Sequence, residues 1–136
     1  MATAGYSGTP LIKKLGITPD MKICILNAPD NYFDLLGQDI TPQFIKGKQV
    51  PHLIHLFAKN FSAFINGMQQ IAPYIKANTA IIVWVSWYKK NSGMATDITE
   101  DKIRVFALQN NLVDIKVCAV SDHWSGLKLV VPLAKR

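Results

Sequence analysis

Residues 79–87 read TAIIVWVSW, a run in which no charged side chain interrupts the aliphatic and aromatic ones. A strand with one wet face would alternate apolar and polar residues; this one does not, so both its faces are expected to be buried and its place central. MKICILNA at 21–28 is almost as continuously apolar, and HLIHLFA at 52–58 stands between the two. Strands buried on both faces belong to parallel sheets with helices above and below.

The segments between them read as helices. Asn60 is placed to cap a helix whose Phe61, Phe64, Ile65, Met68, Ala72 and Ile75 fall at three-and-four spacing, with Pro73 expected to kink or end it near Ala72. Asp97 or Thr99 is expected to cap a second helix reaching about Asn111, with Asp97 and Glu100 matching a capping box and Glu100 and Asp101 suiting its first turn. Nearer the start, Thr9 and Pro10 read as N-cap and first turn of a short helix stopped by Gly16. Another short helical piece follows Pro29 and Asp30, and residues 38–49 read as a loop.

At the far end, VDIKVCAV (113–120) alternates, with Asp114 and Lys116 on one face, as expected near a sheet edge. SDHWSG (121–126) reads as a turn and LKLVVPL (127–133) as a last strand, with Pro132 suiting an edge position. Too little chain separates these strands for a crossover, so they form an antiparallel hairpin. The expected architecture is a single-domain, three-layer α/β/α sandwich over residues 1–136. Its five-stranded sheet is mostly parallel and ends in the antiparallel hairpin. Residues 1–8 read as a flexible leader or as an arm over the sheet edge, where Tyr6, Ser7 and Thr9 would close a pocket.

Composition narrows the function classes. With 49% hydrophobic and 18% charged residues the chain is set to bury a core. It has no apolar run of about 18 residues and no basic stretch followed by a long apolar one, so neither a membrane span nor a signal peptide is read and the cytoplasm is the expected compartment. The net charge of +6 permits polyanion binding. The basic residues, however, cluster no further than the pairs Lys13–Lys14, Lys89–Lys90 and Lys135–Arg136, with no run of five or more, and nucleic-acid binding would need those pairs to share one face. Cys24 and Cys118 lie far apart in apolar runs and read as buried reduced thiols. His52 and His55, three apart in a strand, would point to opposite faces, so no metal site is read.

LGITPDMKICILNAP (15–29) resembles the entry to a class I methyltransferase, a Rossmann-like fold in which helix, turn and first strand lead to the S-adenosylmethionine loop. The later strands and terminal hairpin resemble that fold's second half. Where the methyltransferases have a glycine-rich turn this chain has Asn27-Ala28-Pro29-Asp30-Asn31-Tyr32, and it is too short between the first two strands for the usual acidic ribose-binding strand. A conventional S-adenosylmethionine site is therefore not expected. A resemblance covering nearly the whole chain is to a small bacterial family of uncharacterised proteins. Its members carry nearly the same AGYSGTPL and KLG segments, NAP after the first strand, a WVSW-KK-SG--TD-TED stretch and a final VKVCAV---WSGLKLV. This chain has Tyr88 where a proline is frequent. That resemblance implies the same truncated fold and no established activity.

In an open parallel sheet ligands bind beyond the carboxyl ends of the strands. That edge would gather Asn27 and Asp30, Lys59 and Asn60, the loop WVSWYKKNSGMATDITED (84–101), and the turn Asp122–Ser125. In the loop, Lys89 and Lys90 supply charge, Ser92, Thr96 and Asp97 supply polar side chains, and Gly93 permits unusual backbone angles. A helix start near Thr99 adds free N–H groups. Trp87, Tyr88 and Trp124 would form a flat wall, so the site would take a phosphate or carboxylate carried on a planar group. The competing account is plain capping and solvation. No catalytic set stands out, with His123 only a candidate base. The expected function is therefore a binding or regulatory module for an anionic small ligand or a protein partner. The alternatives are a transferase with an atypical cofactor site at the same edge, and a nucleic-acid-binding module.

Overall fold

The computed structural model describes residues 9–136; the reading of residues 1–8 as a leader or arm lies outside them. In chain order the elements are α1 (Leu11–Lys14), β1 (Ile23–Leu26), α2 (Tyr32–Leu36), β2 (Leu53–Phe57), α3 (Phe61–Ala77), β3 (Ile82–Tyr88), α4 (Glu100–Gln109), β4 (Val113–Ala119) and β5 (Trp124–Val130). The sheet order is β1-β2-β3-β5-β4. β1, β2 and β3 are parallel, and β5 runs antiparallel to both β3 and β4, so four of the five strands point one way. β3 is central, as its uninterrupted apolar run requires, and six of its seven residues are buried.

Period-two alternation divides the core into two layers. Ile54, Leu56, Val83, Val85, Trp87, Leu127 and Leu129 face α3 and α4, meeting Phe64, Met68, Ile71, Ile103 and Ala107. Leu53, Phe57, Trp84, Tyr88 and Trp124 face α1 and α2, meeting Leu11, Leu15, Tyr32 and Leu36. The buried Trp84 indole N–H donates to the Leu15 carbonyl at 2.9 Å, tying the end of α1 to the central strand. α1 stops where the sequence indicates. Gly16 takes φ +77°, and the Gly16 and Ile17 N–H groups return to the carbonyls of Lys13 and Ile12, closing the helix end. At its other end Pro10, rather than Thr9, occupies the N-cap position. Among the described residues no helix is long and apolar enough to cross a membrane.

Three expectations need correction. Of the two outcomes expected at Pro73, a kink or an end, the end does not occur: α3 continues to Ala77. Proline forfeits one backbone bond, and Tyr74 and Ile75 beyond it still pack against the core, which offsets that loss. The Asp97–Glu100 capping box does not form. Thr99 caps α4 by accepting from the Lys102 N–H, while the Asp97 carboxylate accepts from the Phe61 N–H at 2.7 Å and so serves the start of α3 instead. Glu100 pairs with Arg104, which also holds Asp101 and Asp114 and links α4 to β4.

The last strand, finally, is interior. The hairpin closes within residues 121–123 because the Ser121 hydroxyl accepts from the N–H groups of His123 and Trp124 and the Trp124 carbonyl accepts from Val120 and Ser121. Trp124, Ser125 and Gly126 therefore join β5, and Pro132 lies past its end. The edge belongs to β4, as its alternation predicts; its register shifts between Asp114 and Lys116, the kind of irregularity that blunts an exposed edge. At the opposite side, Phe44 bridges to Ile23 and the Ile45 N–H donates to the Ile23 carbonyl, so the 38–49 segment covers the outer edge of β1.

Candidate functional site

The carboxyl ends of β1, β2 and β3 and the β4–β5 turn enclose a cleft of about 440 Å³. From the loop after β1 come Asn27, Ala28, Pro29, Asp30 and Asn31; from the end of β2, Lys59; from β3 and its loop, Tyr88 and Met94; from the turn, Ser121, His123 and Trp124. The lining thus carries two amides, a carboxylate, an ammonium group and an imidazole. Asn27 leaves β1 with φ +60°. Asparagine tolerates this left-handed conformation better than any other residue with a side chain apart from aspartate, so the chain turns here without a glycine. Asn27→Gly is expected to leave stability unchanged or slightly higher, and Asn27→Val to lower it by about 1–2 kcal/mol, as read from urea unfolding midpoints.

Of the residues expected at this edge, Asn27, Asp30, Tyr88 and Trp124 line the cleft, and so do Lys59 and His123. The others do not converge on it. Trp87 and Tyr88 are consecutive in a strand and must face opposite ways; Trp87 is buried against the α3–α4 layer, so the three-ring wall does not exist. Tyr88 and Trp124 instead stack on each other, centroids 4.3 Å apart. In the loop, Ser92 accepts from the Met94 N–H, Thr96 from the Ile98 N–H and Asp97 from the Phe61 N–H, so these polar side chains fold the loop and cap a helix. Gly93 takes φ +82°, as its turn demands, and Lys90 is exposed. Lys89 extends the β3–β5 ladder through its N–H to the His123 carbonyl. Of the 89–97 segment only Met94 lines the cleft; it lies in the loop the sequence singles out but not among that loop's charged and polar candidates. Asn31 and Ser121 each adjoin residues the sequence places at this edge, Asp30 and the Asp122–Ser125 turn, and only the fold brings them inward.

Beneath the cleft lies a buried polar line. The Tyr32 hydroxyl is 2.7 Å from His55 Nδ1, and His55 Nε2 is 2.7 Å from the Ser86 hydroxyl. His55 and Ser86 are fully buried. Phe57 stacks on His55 at 4.2 Å and meets Trp124 edge-on at 4.9 Å, connecting this line to the cleft floor. Burial lowers the His55 pKa to about 3, so its ring is neutral, and burial raises the Tyr32 phenol above its ordinary value. His52 stands just before β2 rather than in it and accepts from the Lys22 N–H, so the two histidines do different structural work. Cys24 and Cys118 are free thiols but only half-buried; burial still raises both pKa values, which makes them weak nucleophiles.

No family model matches the chain, and no curated protein matches it. Solved structures do. An uncharacterised protein from Listeria monocytogenes serotype 4b superposes with TM-score 0.60 at 10% identity, over 93% of this chain and 69% of that one. A protein in the NADB-Rossmann superfamily from Streptococcus agalactiae gives TM-score 0.59 at 5% identity over the same shares. The fold is Rossmann-like. At such identities the likeness extends to the backbone arrangement alone, and the site stands on its own residues.

Proposed function

We propose that the chain is a small cytoplasmic binding or regulatory module that takes an anionic small molecule in the cleft at the carboxyl edge of its sheet. The observation that carries this reading is that Lys59 and His123 line the same cleft as Asn27, Asp30 and Asn31. An ammonium group beside a hydrogen-bonding imidazole at a strand-end crevice suits a phosphate or carboxylate, and the amides and the carboxylate suit hydroxyl or amine donors on the same molecule. The terminal antiparallel hairpin supports the methyltransferase-like part of the resemblance, and the KLG (14–16), NAP (27–29) and 84–101 motifs support placing the chain with the small bacterial family that carries them.

Transfer chemistry at this edge is the second reading. Asn27 favours it, because its left-handed backbone does the work of a turn glycine. Ala28 and Pro29 count against close cofactor approach, since they add side chains and Pro29 has no N–H to offer. Nucleic-acid binding is less supported: Lys89–Lys90 follow β3 at its carboxyl end, whereas Lys135 lines a pocket at the opposite end of the sheet.

Titration calorimetry with inorganic phosphate, ribose 5-phosphate, AMP and S-adenosylmethionine tests these readings. A phosphorylated probe is expected to bind, with Lys59→Ala or His123→Ala weakening it about tenfold or more and Lys90→Ala leaving it unchanged. Loss of binding on Lys90→Ala with none on Lys59→Ala would move the site to the 89–97 loop. Saturable binding of S-adenosylmethionine alone would favour the transferase reading.

A further inference from the structure

A second pocket lies at the other end of the sheet, where α3 and α4 finish. It has a volume of about 340 Å³, within the range of small-molecule sites, and Met68, Ile75, Phe106, Leu112 and Val131 give it an apolar interior. Met68, Leu112 and Val131 are buried, and Phe106 is held edge-on against Phe64 at 5.1 Å. Two lysines also line it, Lys76 from the last turn of α3 and Lys135 from the short helical turn Leu133–Lys135. Lys135 Nζ donates to Asn111 Oδ1 at 3.2 Å, and Asn111 itself is left-handed at φ +62°, so the backbone presents the amide that holds this ammonium group in place.

No aspartate or glutamate lines the pocket. The acidic groups of this layer, Glu100, Asp101 and Asp114, are tied to Arg104. The helix ends oppose an anion only weakly. Each carries about half a negative charge, and the terminal carbonyls of Tyr74 and Ala107 already accept from the N–H groups of Asn78 and Asn110. Two full ammonium charges outweigh that.

We propose that this amino-edge pocket binds a small amphipathic carboxylate, its aliphatic or aromatic body lying among Met68, Ile75, Phe106, Leu112 and Val131 and its carboxylate meeting Lys76 and Lys135. The site is separate from the carboxyl-edge cleft and does not depend on it.

The test uses the whole chain, labelled for two-dimensional NMR, titrated with octanoate, octanol and octylamine. Octanoate is expected to shift the amides of Phe106, Leu112 and Val131 saturably and to bind at least fivefold more tightly than either comparator. Lys76→Ala combined with Lys135→Ala should erase that preference while leaving octanol binding intact, and Ala72→Trp, whose side chain would fill the pocket, should weaken all three. Lys59→Ala, in the other cleft, should change nothing here. Equal affinity for octanoate and octylamine would overturn the carboxylate assignment. Absence of saturable shifts around Phe106 with every probe would overturn the site.

Discussion

Gly67→Ala is expected to destabilise the protein by about 1–2 kcal/mol, against the usual direction for that exchange within a helix. Alanine is favoured over glycine in a helix interior by about 1 kcal/mol. Gly67, however, faces β2 from the middle of α3. A Cβ built on it would stand 2.5 Å from Leu56 Cδ1, 2.8 Å from Cδ2 and 3.2 Å from Cγ. Leu56 is fully buried in the sheet and cannot swing clear into solvent. Overpacking of this kind costs about 1–3 kcal/mol, so the steric term exceeds the propensity gain. Gly67→Val would add two further methyl groups at the same point and a β-branched penalty, and is expected to cost more than about 3 kcal/mol. Leu56→Val removes the terminal carbons that collide. The double variant Gly67→Ala with Leu56→Val should therefore recover stability relative to the sum of the two single changes, a coupling of about 1–2 kcal/mol in urea unfolding. If Gly67→Ala alone stabilised the protein by the propensity amount, α3 would have to stand farther from β2 than this contact requires.

The same glycine shows what the sequence can and cannot carry. Apolar periodicity marks the buried face of α3, because a helix repeats its side chains at a fixed interval. It does not say how closely that face approaches a strand eleven residues earlier in the chain, since that distance belongs to two elements together. The strands divide in the same way. Continuous runs and alternation were enough to separate interior from edge for β3 and β4. They were not enough for β5, whose interior place depends on three turn residues closed by the Ser121 hydroxyl.

The candidate site was legible where the fold rule alone decides position: Asn27, Asp30, Lys59, His123 and Trp124 all follow or precede strand ends at one edge. The loop that looked chemically rich lies mostly off the cleft. Ser92 and Thr96 have local backbone partners and Asp97 serves the distant start of α3, and an amide in need of an acceptor leaves no mark in sequence. The pairing of Trp87 with Tyr88 in one wall failed on strand geometry that was already available from their adjacency.

Lowering the pH from 7 to 4.5 is expected to remove about 2–3 kcal/mol of stability through His55 alone. In the folded chain burial holds its pKa at about 3, whereas an unfolded histidine titrates near its ordinary 6.5. Below pH 6.5 the unfolded chain therefore binds a proton that the folded chain refuses. The stability owed to neutral His55 is complete above about pH 6.5 and falls continuously until pH reaches about 3. A difference of about 3.5 units corresponds to about 4–5 kcal/mol at that acid limit. The carboxylates act lower on the scale. Hydrogen bonds from the Thr18 and Thr41 hydroxyls hold the Asp20 and Asp39 carboxyls below their ordinary 3.8, so what they contribute is present above that value and is lost only as the pH falls through the folded pKa. The interval between pH 6.5 and 4.5 thus separates His55 from these two carboxyls. Within it, unfolding free energy from urea titrations should fall in the native protein and stay level in His55→Gln. That variant keeps hydrogen-bonding groups near Tyr32 and Ser86 but has no titrating ring, and imperfect pairing of those two hydroxyls should cost it about 1–3 kcal/mol at pH 7. A native protein whose unfolding free energy did not change between pH 6.5 and 4.5 would mean that His55 accepts its proton in the folded state. The Tyr32–His55–Ser86 line would then have to be open to water, and the buried floor that it gives the cleft through Phe57 and Trp124 would be lost with it.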